Sequence, residues 1–286
     1  MIVITAASGN LGKLVLDGLL ERGVPAAGIR AVVRTPAKLA DYADRGVEVV
    51  AGDYADQDSL VAGLAGAEKL LLISSAGSGE ERIKQHLNAV AAAKQAGVKH
   101  LVYTSITHAE DSAIAFSWVH KDTEAAVRAS GIPFTFLRNN WYFENLLGSV
   151  GSALEHGAFI GVAADAKIAY ATRADYAAAA VAVLAGEGHE GKTYELNGDV
   201  AVTNTEIAAE VSAQSGKPVA YAPMSEEEFA KTLEGFGLPA AFAGELAQAD
   251  FAISQGALSE TTGDLKALIG RPTTTAAEAV AQALKA

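Results

Sequence analysis

No cysteine occurs in the chain. Disulfides, thiolate catalysis and cysteine-ligated zinc are therefore excluded. The six histidines show no ligand spacing, so no metal site is expected. Basic residues are outnumbered, with 22 Lys and Arg against 34 Asp and Glu and a net charge of −12. A phosphate backbone wants a basic face, which argues against nucleic acid as the main partner. No uninterrupted apolar run reaches the roughly 20 residues of a membrane helix. The apolar start is a short strand and lacks the basic n-region of a signal peptide. The expectation is a cytoplasmic protein with no membrane partner. No stretch rich in Pro, Gly or Ser divides the chain, and no internal repeat is visible. What is abundant is apolar: 50% of the 286 residues are hydrophobic, enough for a large core in one α/β unit or two joined lobes.

The most informative segment is the first. A β-branched run, Ile2-Val3-Ile4, enters the turn Thr5-Ala6-Ala7-Ser8-Gly9-Asn10-Leu11-Gly12, and an amphipathic helix follows with Leu11, Leu14, Val15, Gly18 and Leu19 on one face. A strand, a glycine turn and a helix N-terminus bind a dinucleotide pyrophosphate, because free N–H groups and the helix dipole point at the phosphates. Gly9 and Gly12 are the second and third members of a Gly-x-x-Gly-x-x-Gly pattern, which resembles the fingerprint of the short-chain dehydrogenase superfamily. Ala6 stands in place of the first glycine. If the turn needs a positive φ there, its methyl group costs roughly 1–3 kcal/mol; if φ is negative it costs little.

Strand-like runs at Ile2–Thr5, Ile29–Val33, Val47–Val50, Leu70–Ile73, His100–Tyr103 and Phe134–Leu137 alternate with helical patterns at about 11–22, 36–45, 57–65, 80–96 and 118–130. Continuous apolar strands between helices predict a doubly wound parallel Rossmann sheet, class α/β. The dinucleotide-binding domain is expected over residues 1–150, with later segments free to return to it. Beyond 150 the alternation fades. Capping boxes at Thr203-x-x-Glu206, Ser225-x-x-Glu228 and Thr275-x-x-Glu278, a helix over 173–186 and short strands at Tyr194–Leu196 and Val219–Tyr221 predict a smaller, mostly helical substrate lobe over 151–286.

Ligands bind beyond the C-terminal ends of such strands. Arg34 follows the second strand, where an NAD-selective site carries an acid for the ribose 2′-hydroxyl; a guanidinium suits the 2′-phosphate of NADPH. The alternative is a solvated surface arginine. Asp53 follows the third strand, either meeting the adenine edge, as in superfamily members, or serving as a cap or turn residue. Ser74 and Ser75 follow the fourth strand, Thr104 and Ser105 the fifth, and Arg138, Asn139 and Asn140 the sixth. Any one of these could be ordinary loop chemistry. Their recurrence at one edge of the sheet is the stronger argument.

Short-chain dehydrogenases normally carry Tyr-x-x-x-Lys on the helix after the fifth strand, often with a glutamate four residues beyond the lysine. Anchoring on Glu124 puts His120 at the lysine position and Phe116 at the tyrosine position. Phenylalanine donates no proton. Reducing an isolated ketone makes an alkoxide whose conjugate acid has a pKa of about 16, like water. Reducing a quinone makes a phenolate-like product nearer ~10. The difference is worth roughly 8 kcal/mol at about 1.36 kcal/mol per unit. A quinone, or a carbocationic dye that takes hydride at carbon, needs no strong acid. His120 is the candidate to assist as hydrogen-bond donor, against the alternative of a packed helix-face histidine. His108 is a weaker candidate, and His86, His100, His156 and His189 have no supporting constellation in the sequence.

Both tryptophans crowd with Phe116, Phe134, Phe136, Tyr142 and Phe143 into residues 116–143. Phe134 and Phe136 read as core. Phe116, Trp141, Tyr142 and Phe143 are expected to line a pocket for a planar acceptor, or else to cement the two lobes.

At these residues the chain resembles the NmrA-like atypical short-chain dehydrogenases/reductases, and within them the bacterial NADPH:quinone oxidoreductases of the type 2 class. The resemblance runs essentially end to end. It is carried by Lys69-Leu-Leu-Leu-Ile-Ser-Ser75, Leu137-Arg-Asn-Asn-Trp-Tyr-Phe-Glu-Asn145, Ala171-Thr-Arg-Ala-Asp-Tyr176 and Gly188-His-Glu-Gly-Lys-Thr-Tyr-Glu-Leu196. It implies NADPH bound at the turn, at Arg34 and near the loop containing Glu144 and Asn145, with hydride transfer to quinones. Triphenylmethane dye reductases share much of the pattern. NmrA proteins that bind dinucleotides and act on regulatory partners offer a reading from another class, and a homodimer is left open. Ala6 departs from the usual glycine, and Asn140 stands where a smaller residue is common. One consequence is directly measurable. Arg34→Ala is expected to weaken NADPH binding far more than NADH binding in a titration; equal losses would overturn the 2′-phosphate role.

Overall fold

The computed structural model describes residues 1–285. In chain order its elements are β1 (Ile2–Thr5), α1 (Asn10–Glu21), β2 (Ile29–Val33), α2 (Ala40–Asp44), β3 (Glu48–Ala51), α3 (Gln57–Leu64), β4 (Lys69–Leu72), α4 (Gly79–Gln95), β5 (His100–Ile106), α5 (Ser117–Ser130) and β6 (Phe134–Asn139). There follow α6 (Phe143–Leu147), α7 (Val150–His156), β7 (Ala158–Gly161), α8 (Arg173–Ala185), β8 (Lys192–Leu196), α9 (Asn204–Ser215), β9 (Ala220–Pro223), α10 (Glu226–Gly235), α11 (Ala240–Ser254), α12 (Asp264–Ile269) and α13 (Ala276–Ala283).

The main sheet has seven strands in the order β3-β2-β1-β4-β5-β6-β8. Every pairing from β3 through to β6 is parallel. The chain builds outward from β1 to β3, then crosses back to lay β4 on the other side of β1. The direction of winding therefore reverses between β1 and β4, the switch point at which open α/β sheets leave a crevice. Both strands are buried apart from their first residues, as a sheet covered on both faces requires. On one face Val3, Val32, Leu70, Leu72, Leu101, Tyr103 and Phe136 form a core with Leu60, Leu64 and residues of α4.

Two compact units are distinguished. One comprises Met1–Ala109, Trp118–Asn139 and Tyr176–Glu195; the other comprises Glu110–Ser117, Asn140–Asp175 and Leu196–Ala286. The expected boundary near 150 thus falls at 139, and the first unit recovers most of α8 and β8 from further along the chain. Tyr194–Leu196, expected in the smaller lobe, belongs to β8 at the edge of the main sheet. An edge strand is half solvated and reads polar, and this one is Lys-Thr-Tyr-Glu-Leu with only Leu196 buried. In the second unit, β7, which the sequence pattern did not disclose, pairs in parallel with β9. The three capping boxes form as expected, each hydroxyl accepting from the N3 backbone and each glutamate reaching back. Gly18 has a packing reason in α1. A Cβ on Gly18 of α1 would lie 2.9 Å from Val181 of α8, so small residues let these helices approach closely.

A buried ionic cluster ties the ends of β5, β6 and β8. Arg138, 5% exposed, is held by both oxygens of Glu124, 3% exposed, at 2.9 and 2.6 Å, and by Glu195 at 2.9 Å. Ser105 donates to Glu124 at 2.7 Å, and Thr107 and the His108 N–H donate to Glu195 at 2.8 and 3.1 Å. Removing one charge from such a cluster strands the other. Glu124→Gln is expected to lose about 3 kcal/mol of stability in urea unfolding. Adding Arg138→Met should recover part of that loss; no recovery would show that the pair stabilises beyond charge neutralisation.

Candidate active site

The turn after β1 is closed by the Gly9 N–H donating to Ala6 O at 3.0 Å. Gly9 caps α1 in extended conformation, φ −75° and ψ 169°, and no side chain bonds to the helix start. The first N–H groups of α1 are thus left for a ligand. Gly12 is fixed by sterics: a Cβ there would lie 2.6 Å from Ala7 Cα and 2.8 Å from Ala6 O. Ala6 has φ +49°, so the first of the two alternatives for this position holds and its methyl group sits in the left-handed region. Ser8 is half-buried, and Gly9 and Asn10 are exposed around the helix start. Leu11 is buried and can offer a ligand only its backbone.

Arg34 is exposed immediately beyond β2. Asp53 forms an Asx turn, its Oδ1 accepting from the Ala55 N–H at 2.9 Å, while Asp56 caps α3. The turn role expected as one alternative is therefore present at Asp53.

The backbone beyond β4 is held from several directions. Tyr54 donates to Ile73 O at 2.6 Å, the Ser74 N–H to Thr104 Oγ1 at 2.9 Å, and the Ser75 N–H to His86 Nε2 at 3.0 Å. His86 must therefore carry its proton on Nδ1, which donates to Thr123 Oγ1 at 2.9 Å, and Thr123 donates onward to Val119 O at 2.6 Å. Arg82 Nη2 donates to Ser74 Oγ at 3.0 Å and to His120 Nε2 at 3.1 Å. Since a guanidinium only donates, the proton of His120 also lies on Nδ1, which reaches the Tyr103 hydroxyl at 2.9 Å. Burial and the neighbouring Arg82 push His86 down to about 3 and hold His120 well below the ordinary imidazole value.

His86, without a constellation in the sequence, is thus central to one. Arg82, Tyr103 and Thr123 were also missed. The available signal was spacing: Arg82 and His86 stand four apart on α4, and His120 and Thr123 three apart on α5, which places each pair on one helix face. His108 lies at φ +53°, its N–H held by Glu195.

At the end of β6, the backbone of Asn139 accepts from the Thr107 N–H at 3.1 Å. In the second unit, Asn140 is buried and donates to Leu258 O at 3.2 Å while accepting from the Trp141 N–H, so its amide is spent on the fold. Phe116 and Trp141 stack at 6.3 Å and are both half-buried. Tyr142 is half-buried under the Arg173 guanidinium at 5.5 Å. Phe143, expected with them, is instead a core ring, 2% exposed and stacked on Tyr170 at 4.9 Å. Glu144 turns both oxygens to the Arg173 N–H at 2.9 and 3.1 Å and so caps α8, while Asn145 is exposed. Among the described residues no group of acids and histidines could hold a metal ion, and no helix is long and apolar enough to cross a membrane.

A glycine turn with an uncapped helix at the switch point of a parallel sheet defines a dinucleotide-binding protein of the Rossmann class. The NmrA-like family model matches residues 1–271. Quinone oxidoreductase 2 of Escherichia coli (strain K12) is 51% identical over 280 residues, covering 98% of this chain and 97% of that protein. The crystal structure of the E. coli NADPH-dependent quinone oxidoreductase complexed with NADPH matches with a TM-score of 0.95 at 50% identity, over 99% of this chain and 100% of that one. The Citrobacter sp. triphenylmethane reductase complexed with NADP(H) matches with a TM-score of 0.93 at 43% identity, again over 99% and 100%. The chain belongs to the NmrA-like family.

The left-handed alanine offers a direct test. An L-residue in that region costs roughly 1–2 kcal/mol that glycine does not pay, offset in part by glycine's greater freedom when unfolded. Ala6→Gly is expected to raise the urea midpoint by the equivalent of about 1 kcal/mol; a lower midpoint would show that the methyl packs favourably.

Proposed function

We propose that this protein is an NADPH-dependent reductase that passes hydride to a quinone or a similarly flat conjugated acceptor. The observation that carries this reading is the absence of a proton donor at the usual place. Phe116 stands at the tyrosine position, and both nitrogens of His120 are engaged by Arg82 and Tyr103. A phenolate-like product needs no strong acid, whereas an isolated alkoxide does. Its relatives named for quinone and dye reduction support the same chemistry.

NADPH supplies the hydride. Its proposed ligands are the N–H groups of the turn from Ala6 to Gly12, with Ser8 and Asn10 beside them. Arg34 is proposed to hold the 2′-phosphate, since a rigid fork of donors beyond β2 suits that group. Asp53, Ser74, Ser75, Thr104, Asn139, Glu144 and Asn145 complete the proposed cofactor set, Thr104 and Glu144 by holding backbone rather than by reaching out. Phe116, Trp141 and Tyr142 are proposed to meet the planar acceptor. Triphenylmethane dyes are a second acceptor class, favoured by the likeness to the Citrobacter enzyme. These take hydride at a cationic carbon and need no acid either.

Purified protein is expected to oxidise NADPH saturably with 1,4-benzoquinone, above the uncatalysed reaction and in preference to NADH. Turnover with a triphenylmethane dye alone would move the acceptor to that class. Tight NADPH binding without turnover on either would overturn the enzymatic reading in favour of a dinucleotide sensor acting through protein partners.

A further inference from the structure

We propose that His120 is a positioning residue, and that the chain Tyr103–His120–Arg82 holds the Ser74 hydroxyl, and with it the segment beyond β4, in the form that NADPH binds. The proposal rests on the cofactor reading above, but not on any particular acceptor.

Direction decides the role. Tyr103 lies in the middle of β5 and is fully buried, so its hydroxyl is a fixed anchor. His120, 6% exposed, spans from that anchor to Arg82 with one nitrogen on each. Arg82 bonds in turn to Ser74, two residues beyond β4 and beside the switch point. The same short segment is held again by His86 through the Ser75 N–H and by Thr104 through the Ser74 N–H. Each imidazole uses Nε2 as an acceptor facing the segment or its arginine, and Nδ1–H as a donor facing the interior. A neutral ring is the only form that can do both.

The charged and titratable groups that face His120 are Arg82 and His86 on α4 and Tyr103 on β5. Glu124, one turn further along α5, is committed to Arg138. A proton added at His120 Nε2 would point at a guanidinium and break the bond to Arg82. The hydride reaction therefore proceeds without a proton leaving or joining His120, and the reduced acceptor takes its proton from solvent.

The test separates holding from proton donation. NADPH affinity is measured by fluorescence titration without acceptor, for wild type, His120→Ala and His120→Gln. An amide carries both an acceptor and a donor, so it can reproduce the bridge in part. Losing a bond from a charged donor is expected to weaken NADPH about tenfold in His120→Ala, with most of the affinity regained in His120→Gln. With benzoquinone, the KM for NADPH should rise in His120→Ala by more than kcat falls. The wild-type kcat should show no imidazole limb between about pH 5.5 and 9. A wild-type limb near 6–7 that vanishes in His120→Ala would overturn the proposal and make His120 the proton donor. Unchanged NADPH affinity in a folded His120→Ala protein would overturn it too, leaving His120 as packing. Because the titration needs no turnover, it stands even where no acceptor is reduced.

Discussion

The contact between Gly12 and the backbone of Ala7 sets the position of everything around the nucleotide end of the sheet. With no side chain at residue 12, the first turn of α1 rests directly on the chain leaving β1. That contact fixes where the helix begins, and so where its free N–H groups point. At this point β4 has been laid back beside β1, which opens the sheet. The segment beyond β4 then faces the same end as the helix start. Local backbone sterics and sheet topology thus converge on one place.

Polar side chains serve this arrangement chiefly by holding backbone. Thr104, His86 and Tyr54 each bind a main-chain group next to β4, and Glu144 caps α8. Further along the sheet, Arg138 pairs with the buried Glu124 and the half-buried Glu195. Buried charges at that end are used for position, with bidentate geometry offsetting their desolvation.

The sequence disclosed what depends on local pattern. The first six strands, the helices between them and the three capping boxes follow from apolar runs and cap residues, and the observed ends differ by four residues or fewer. The glycine turn and the position of Arg34 just beyond β2 were legible because their spacing from the strands is fixed. The return of β8 to the main sheet was left open because an edge strand loses the continuous apolar signature. The Arg82–His120 network was not legible because its members come from the segment beyond β4, α4, β5 and α5, and only the folded sheet brings them together. The helical spacing of Arg82 with His86 was visible, but a polar pair on a helix usually means a solvated face. Phe143 was misleading in the opposite way, since residue type alone does not separate a pocket wall from a core position.

The first unit is assembled from three separate lengths of chain. During synthesis β1 to β6 emerge in order, whereas Glu195 follows Arg138 by 57 residues. Until then the bond from Arg138 to Glu195 is missing, and β6 is an open edge. The nascent sheet is therefore nearly complete yet unsealed while Asn140–Asp175 is being made. An open edge of this kind is a template for pairing with another chain, and β8 closes it.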